Sequence, residues 1–113
     1  MDSKTKLNRT QRIALATQWK KLLANGKNRY QDHAPVVKYF DPCGAATWLI
    51  SEVDDDGIAF GLCDLGMGCP ELGNVSLEEM ISIGRIERDL HFKGKRPLSW
   101  YADQARKEGR ISA

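Results

Sequence analysis

The spacing of apolar residues predicts a helix near the start of the chain. Between Asn8 and Asn25 these residues recur at helical intervals, as Leu15, Ala16, Trp19, Leu22 and Leu23. Asn8 or Thr10 can cap the first turn, and Asn25-Gly26 predicts a left-handed stop after the last turn. The outer face is basic, so the pattern indicates an amphipathic helix that packs along one side.

Two further helices are predicted in the second half of the chain. Residues 76–79 read Ser-Leu-Glu-Glu, a capping box that opens a short helix to about Ile83. A last helix starts at Pro97 and Ser99 and closes at Gly109. Its apolar stripe consists of Leu98, Tyr101, Ala102 and Ala105, and Trp100 lies off that stripe.

Runs of β-branched and aromatic residues predict strands at 35–40, 47–53 and 58–64. Residues 54–57 join the last two as a hairpin turn in which Gly57 takes a positive φ. Residues 86–92 alternate and predict a fourth strand, with Glu87, Asp89 and His91 on its polar side. The prediction is an α+β fold: a small antiparallel or mixed sheet of about four strands, packed by an N-terminal, a short middle and a C-terminal helix. We expect one globular domain over residues 1–113, with residues 1–6 poorly ordered.

The stretch CDLGMGCPELG, residues 63–73, is the least ordinary part of the sequence. It combines two cysteines, three glycines, one proline and two carboxylates. Glycine permits backbone angles closed to other residues, and Pro70 restricts Cys69. The stretch therefore predicts a compact loop of defined shape, and its glycines match no phosphate-binding motif.

Charge is distributed unevenly along the chain. Residues 1–38 carry nine Lys/Arg and two Asp/Glu, which gives a net charge of +7. Residues 39–92 carry two Lys/Arg and eleven Asp/Glu, a net charge of −9. Residues 93–113 carry six Lys/Arg and two Asp/Glu, a net charge of +4. A solvated surface explains this, and the alternative is a nucleic-acid-binding adaptor that uses the Lys/Arg of both basic ends, with Tyr30 or Trp100 stacking on bases. No helix-turn-helix, RNP or KH motif accompanies the basic ends.

The three cysteines favour reduced thiols and a cytoplasmic location, since an odd number does not form a disulfide framework. No apolar run approaches the roughly 20 residues that span a bilayer. Five residues separate Cys63 from Cys69 and Cys43 stands alone, unlike the closely spaced pairs of structural zinc sites. We expect no metal, no cofactor and no membrane partner.

A second alternative is a small hydrolase or metal-dependent enzyme in which Asp64, Glu71 and His91 converge, with Cys69 as a candidate nucleophile. A strand that alternates acidic and apolar residues is more simply explained as half-exposed, and no sequence typical of a catalytic cysteine surrounds Cys69. We therefore assign no catalytic residue and favour a protein without enzymatic activity.

Several segments together resemble a known family. They are LLANG (22–26), PVVKYFDPCGAATWLISEVD (35–54), FGLCDLGMGCPELG (60–73), VSLEEM (75–80) and IERDLHF followed by PLSWYADQAR (86–106). In this order they resemble the bacterial family called domain of unknown function 2958. The resemblance implies a small protein of plasmids, phages and integrated mobile elements, and it carries over no activity and no site residue. The short Ile83-Gly84-Arg85 link stands where we expect a longer loop in that family.

The leading hypothesis is a non-enzymatic binding protein of a mobile genetic element, acting by protein–protein contact. Small proteins of such elements often occupy a surface of a host defence complex, as anti-CRISPR and anti-restriction proteins do. The predicted binding surface is the 64–71 loop with the alternating strand beside it and consists of Asp64, Met67, Glu71, Glu87, Asp89, His91 and Trp100. A restricted loop presents such side chains at little ordering cost. The sequence favours no particular oligomeric state.

Overall fold

The computed structural model describes the backbone of residues 9–29 and 31–113 and the side chains of residues 18–29, 31–80 and 82–113. Some predictions fall outside these ranges. They are those on residues 1–6, on the caps at Asn8 and Thr10, on Tyr30, and on the side chains of Leu15 and Ala16. The elements are α1 (Arg9–Gly26), β1 (Val37–Phe40), β2 (Thr47–Val53), β3 (Ile58–Asp64), β4 (Glu71–Ser76), α2 (Leu77–Ser82), β5 (Glu87–Arg88) and α3 (Leu98–Glu108).

The five strands form one antiparallel sheet in the order β4-β3-β2-β1-β5. The predicted α+β class is confirmed, and the sheet has five strands where about four were expected. The additional strand is β4, whose sequence ELGNVS has weak β propensity because Gly and Asn are poor strand formers. It pairs with β3 from Cys63↔Glu71 to Ile58↔Ser76, so the neighbouring strand determines its conformation.

The sheet has a helical layer on each face. Helices α1 and α2 cover the face that includes Trp48 and Ile50, and α3 covers the face that includes Leu49 and Leu62. Neighbouring residues of β2 point to opposite faces, so both faces of this strand are buried. Leu49, Ile50 and Leu62 are each 0% exposed, and each such side chain stabilises the fold by about 1.5–3 kcal/mol. The core therefore consists of two layers centred on β2 and β3.

The first helix ends where expected, but for a different reason. Gly26 does not take a positive φ, and a Cβ atom built on it would lie 2.2 Å from the carbonyl oxygen of Val53. The glycine is needed because α1 approaches β2 closely. Beside it, the buried Asn25 donates through Nδ2 to the carbonyl oxygen of Ser51 at 2.9 Å. Ser51 lies where the β2–β3 register shifts, so Asn25 satisfies a carbonyl group at an irregular point of the sheet.

The predicted strand over residues 86–92 is much shorter in the structure and comprises only Glu87–Arg88. Asp89 ends it, because its Oδ1 accepts from the backbone N–H of His91 at 2.9 Å and its carbonyl accepts from that of Phe92 at 3.3 Å. This turn breaks the alternation on which the prediction relied. Leu90 is consequently 71% exposed and does not join the apolar face.

Helix capping follows the sequence more closely. Ser76 Oγ accepts from the backbone N–H of Glu79 at 3.3 Å, and Gly109 ends α3 with φ 76°. The first turn of α3 is held by a distant segment. The carboxylate of Asp32 accepts from the backbone N–H of Ser99 at 3.1 Å, and the carbonyl of His33 accepts from that of Leu98 at 3.0 Å. The loop after α1 therefore fixes where α3 begins.

Asp41 joins the β1–β2 turn to the segment after α2. Its carboxylate accepts from the Cys43 backbone N–H at 2.9 Å and from Arg85 Nε at 2.9 and 3.0 Å. The hydrogen bond from Arg85 lowers the pKa of Asp41 below its ordinary value of 3.8. The pKa of Asp89 is likewise lowered, by the His91 backbone N–H and then by Lys38, whose Nζ lies 3.6 Å from Asp89 Oδ2.

These lowered values predict loss of stability in acid. The folded state binds fewer protons than the unfolded state near pH 3.8, so the stabilisation is complete above that pH and is lost as pH falls through the folded-state pKa. We expect the free energy of unfolding in urea to fall between pH 6 and pH 3. The fall should be smaller for Arg85→Gln, while Lys107→Gln, which removes an equivalent charge from the exposed side of α3, should keep the full fall. An equal fall in the Arg85 variant would contradict this interpretation.

Candidate functional site

The unusual stretch predicted to be a defined loop is a tight connection between two strands. Its ends belong to β3 and β4, so the connection itself is residues 65–70, which we call the hairpin loop. Gly66 and Gly68 both take positive φ, at 84° and 79°. A Cβ atom on Gly66 would also lie 2.5 Å from the Cβ of Ala45 in the β1–β2 connection. Gly66 is therefore required both by backbone angle and by space.

Asp64, the last residue of β3, holds the hairpin loop in place through its carboxylate. Its side chain is 3% exposed, and its two carboxylate oxygens accept from two different backbone groups. Oδ1 accepts from the N–H of Gly66 at 2.9 Å, and Oδ2 accepts from the N–H of Ile111 at 2.9 Å. One buried carboxylate thus links the end of β3, the hairpin loop and the segment after α3. Asp64 supports the predicted binding surface and is not exposed on it.

The hairpin loop presents apolar side chains to solvent. Met67 is 77% exposed and Leu65 is 57% exposed, while Pro70 beneath them is buried. Leu72, on the adjoining edge strand, is 37% exposed, and Glu71 beside it is also exposed. A group of exposed apolar side chains on a conformationally fixed loop is typical of a protein-interaction site.

A cleft of about 400 Å³ lies beside the loop. It is lined by Ala45, Thr47, Asp64, Gly66, Gly68, Gly109, Arg110 and Ile111. Both carboxylate oxygens of the one acidic side chain in that lining already accept backbone hydrogen bonds. The cleft therefore offers no carboxylate oxygen without a backbone partner, and its lining consists mainly of glycine and small side chains.

The other predicted acidic residues lie at the opposite edge of the sheet. Glu71 is on β4 and Glu87 is on β5, the two outermost strands, with three strands between them. Four interstrand spacings place their backbones about 19 Å apart. Asp89 and His91 follow β5 and share that position. The structure therefore does not bring Glu87, Asp89 and His91 to the hairpin loop.

The same separation applies to the candidate catalytic set. Asp64 and Glu71 are near one another at the β3–β4 end, but His91 lies beyond β5. Cys69 is exposed on the hairpin loop, also on the far side of the sheet from His91. The constellation of Asp64, Glu71 and His91 is not assembled.

Trp100 lies on α3 and is 41% exposed. Its ring meets the edge of Tyr101 with a centroid separation of 5.1 Å, and Arg96 Cζ lies 5.2 Å from its ring centroid. Trp100 lies nine positions before Gly109, which adjoins the hairpin loop, and nine steps along a helix span about 14 Å. Trp100 is thus a separate aromatic position on the face covered by α3.

The three cysteines are free thiols. Burial raises the pKa of the Cys63 thiol to about 11, so this side chain is protonated at neutral pH and packs as an apolar residue. Across the part of the chain that the structure describes, no group of three or more His, Cys, Asp or Glu residues is placed to hold a metal ion. No helix in the same part is long and apolar enough to cross a membrane.

A protein-family model matches this chain over nearly its whole length. The family model described as "protein of unknown function (DUF2958)" matches residues 8–112. The chain belongs to the DUF2958 family. The match covers every described helix and strand of this DUF2958 protein, from α1 to α3. Neither a curated protein nor a solved structure matches the chain.

Several surface residues of this DUF2958 protein were missed in the sequence. Leu65 and Leu72 belong with Met67, and the available signal was the presence of apolar residues within a run of turn-forming ones. Leu90 was missed because the alternation assigned it to a buried face. Among the residues whose side chains the structure describes, the lysines of α1 and the basic side chains of α3 do not share one face, since the two helices pack on opposite sides of the sheet.

Proposed function

We propose that this chain is a non-enzymatic binding protein of a mobile genetic element that captures a partner protein through the hairpin loop and the adjoining edge of β4. The observation that carries the proposal is the 77% exposure of Met67 on a loop whose backbone is fixed by Asp64 and two positive-φ glycines. When a partner covers an apolar side chain that a rigid loop holds in water, burial of its surface contributes favourable binding free energy. Little conformational entropy is lost, because the loop is already fixed.

The proposed mode of action is occupation of a surface on a host defence complex, as in anti-CRISPR or anti-restriction proteins. The resemblance to small proteins of plasmids and phages supports the setting, and the free thiols support a cytoplasmic one. The local chemistry supports binding over catalysis, because the carboxylate of Asp64 is fully engaged in holding backbone groups. Binding alone is sufficient for inhibition of this kind.

Partner capture is the measurement that tests this proposal. A photo-crosslinking residue in place of Met67 should label one host protein, identified by mass spectrometry from cells that carry the gene. Affinity for that purified protein should fall at least about tenfold in the Met67→Glu, Glu71→Ala double variant, because a charge replaces the apolar contact at the centre of the surface.

The matched control is Ile83→Glu, which places the same charge at another exposed apolar position, 45% exposed, outside the loop. Circular dichroism should show the same fold for both variants. Retained affinity in the loop variant, or equal loss in the control, would remove the hairpin loop from the binding surface.

A further inference from the structure

A second open surface lies at the opposite side of the molecule, where α1 meets the β5 edge of the sheet. It is a groove of about 430 Å³, which we call the edge groove. Its apolar floor includes Val36 and Phe92, and Leu90 stands on its rim at 71% exposure. The floor is closely packed, since a Cβ atom on Gly94 would lie 2.0 Å from the carbonyl oxygen of Pro35. The backbone at Gly94 therefore packs directly against that of Pro35 in the groove.

The charge of the edge groove is of one sign. Lys21 from α1, Arg88 from β5 and Lys93 from the following segment line it, and no Asp or Glu is among the lining residues that the structure describes. Two acids flank Arg88 in sequence: Asp89 is engaged by Lys38 and by the backbone N–H of His91, and Glu87 on β5 is not among the lining residues. The first basic segment of the chain thus meets the last one at this groove, although α1 and α3 lie on opposite faces of the sheet.

From this combination we infer that the edge groove binds an acidic amphipathic peptide segment of a partner protein. Apolar side chains of the segment contact Leu90, Val36 and Phe92, and its carboxylates lie near the cations at the rim. Burial of Leu90 supplies affinity, and the uniform positive charge selects against neutral and basic segments. The site is separate from the hairpin loop, so neither proposal depends on the other.

The apolar component favours a peptide over a nucleic acid. A nucleic-acid strand needs cations spaced along its phosphates and flat aromatic faces on which bases stack. Here the cations surround an apolar floor, the most exposed apolar side chain is a leucine, and the ring of Phe92 packs against Tyr101 at a centroid separation of 6.3 Å. Carboxylates interspersed with apolar side chains match this arrangement better than phosphates do.

The test uses random twelve-residue peptides displayed on phage and selected against the full chain. The selected peptides should be enriched in Asp and Glu combined with Leu, Ile or Phe. The most enriched sequence, synthesised with a fluorescent label, should lose about tenfold in affinity by anisotropy in the Lys21→Glu, Lys93→Glu double variant and, separately, in Leu90→Ser.

Two control variants match these changes at exposed positions outside the groove. Lys107→Glu reverses a charge on α3, and Ile83→Ser removes an exposed apolar side chain, and both should keep the wild-type affinity. The inference is overturned by selection that yields no acidic enrichment, by groove variants that bind as well as the wild type, or by controls that lose as much. Tighter binding of a twelve-nucleotide oligothymidine through the same two lysines would overturn it in favour of a nucleic acid.

Discussion

Replacing Gly61 with alanine is expected to destabilise the protein by more than about 3 kcal/mol, a large part of the roughly 5–15 kcal/mol that holds a domain folded. A Cβ atom at this position would lie 2.1 Å from the carbonyl oxygen of Leu49 and 3.0 Å from the Cα of Ile50. Both atoms belong to the backbone of β2, which is buried on both faces and cannot move aside without separating the two central strands.

The structure supplies an unusually close control for this change. Gly73 is the cross-strand partner of Gly61 on the neighbouring strand β4, and a Cβ atom there would meet nothing within 4 Å. Gly73→Ala should be neutral or stabilising by about 0.5 kcal/mol, since alanine loses less backbone entropy than glycine in a strand. Guanidinium unfolding followed by circular dichroism measures both. Similar midpoints for the two variants would show that β2 can yield at Leu49.

Glycine also marks the boundary between what the sequence predicts and what it does not. The positive φ of Gly57 was expected because it follows three aspartates in a hairpin turn, and the structure has it at 81°. The close approaches at Gly26 and Gly61 were not predictable, because they depend on which strand or helix lies opposite. The conformation of a turn depends on residues adjacent in sequence, whereas close packing depends on residues distant in sequence.

The acidic middle of the chain illustrates a related difference. Four aspartates at strand ends each accept at 2.9 Å from the backbone N–H two residues further on; they are Asp41, Asp54, Asp64 and Asp89. Each ends a strand in the same way, because its side chain accepts a backbone hydrogen bond that forms a turn in place of the interstrand hydrogen bonds of the sheet. In the sequence Asp64 and Asp89 were assigned to the predicted binding surface, but in the structure both carboxylates terminate strands. An aspartate directly at or after an apolar run was the available signal.

The candidate site was predictable in part for the same reason. The glycines and Pro70 predicted a loop of defined shape, and the structure has Met67 exposed on that loop. The inclusion of Glu87, Asp89 and His91 rested on an assumed strand order, and the order β4-β3-β2-β1-β5 places them at the other edge. Strand order depends on contacts between distant segments, which the periodicity of one strand does not specify.

Replacing Asp64 with alanine is expected to cost about 3 kcal/mol and to loosen the hairpin loop without changing any exposed side chain. The change leaves the amides of Gly66 and Ile111 without their acceptor, and a buried hydrogen bond to a charged group contributes about 1.5–3 kcal/mol.

Asp54 is the control, because its Oδ1 accepts from the N–H groups of Asp56 and Ile58 at an exposed turn, so Asp54→Ala should cost only about 1 kcal/mol. Amide hydrogen exchange should accelerate at Gly66 and Ile111 in the Asp64 variant alone. Affinity for the partner protein should also fall although Met67 is intact, because a mobile loop loses more conformational entropy on binding. Unchanged exchange at those two amides would show that the loop is held by its glycines and Pro70 and not by the buried carboxylate.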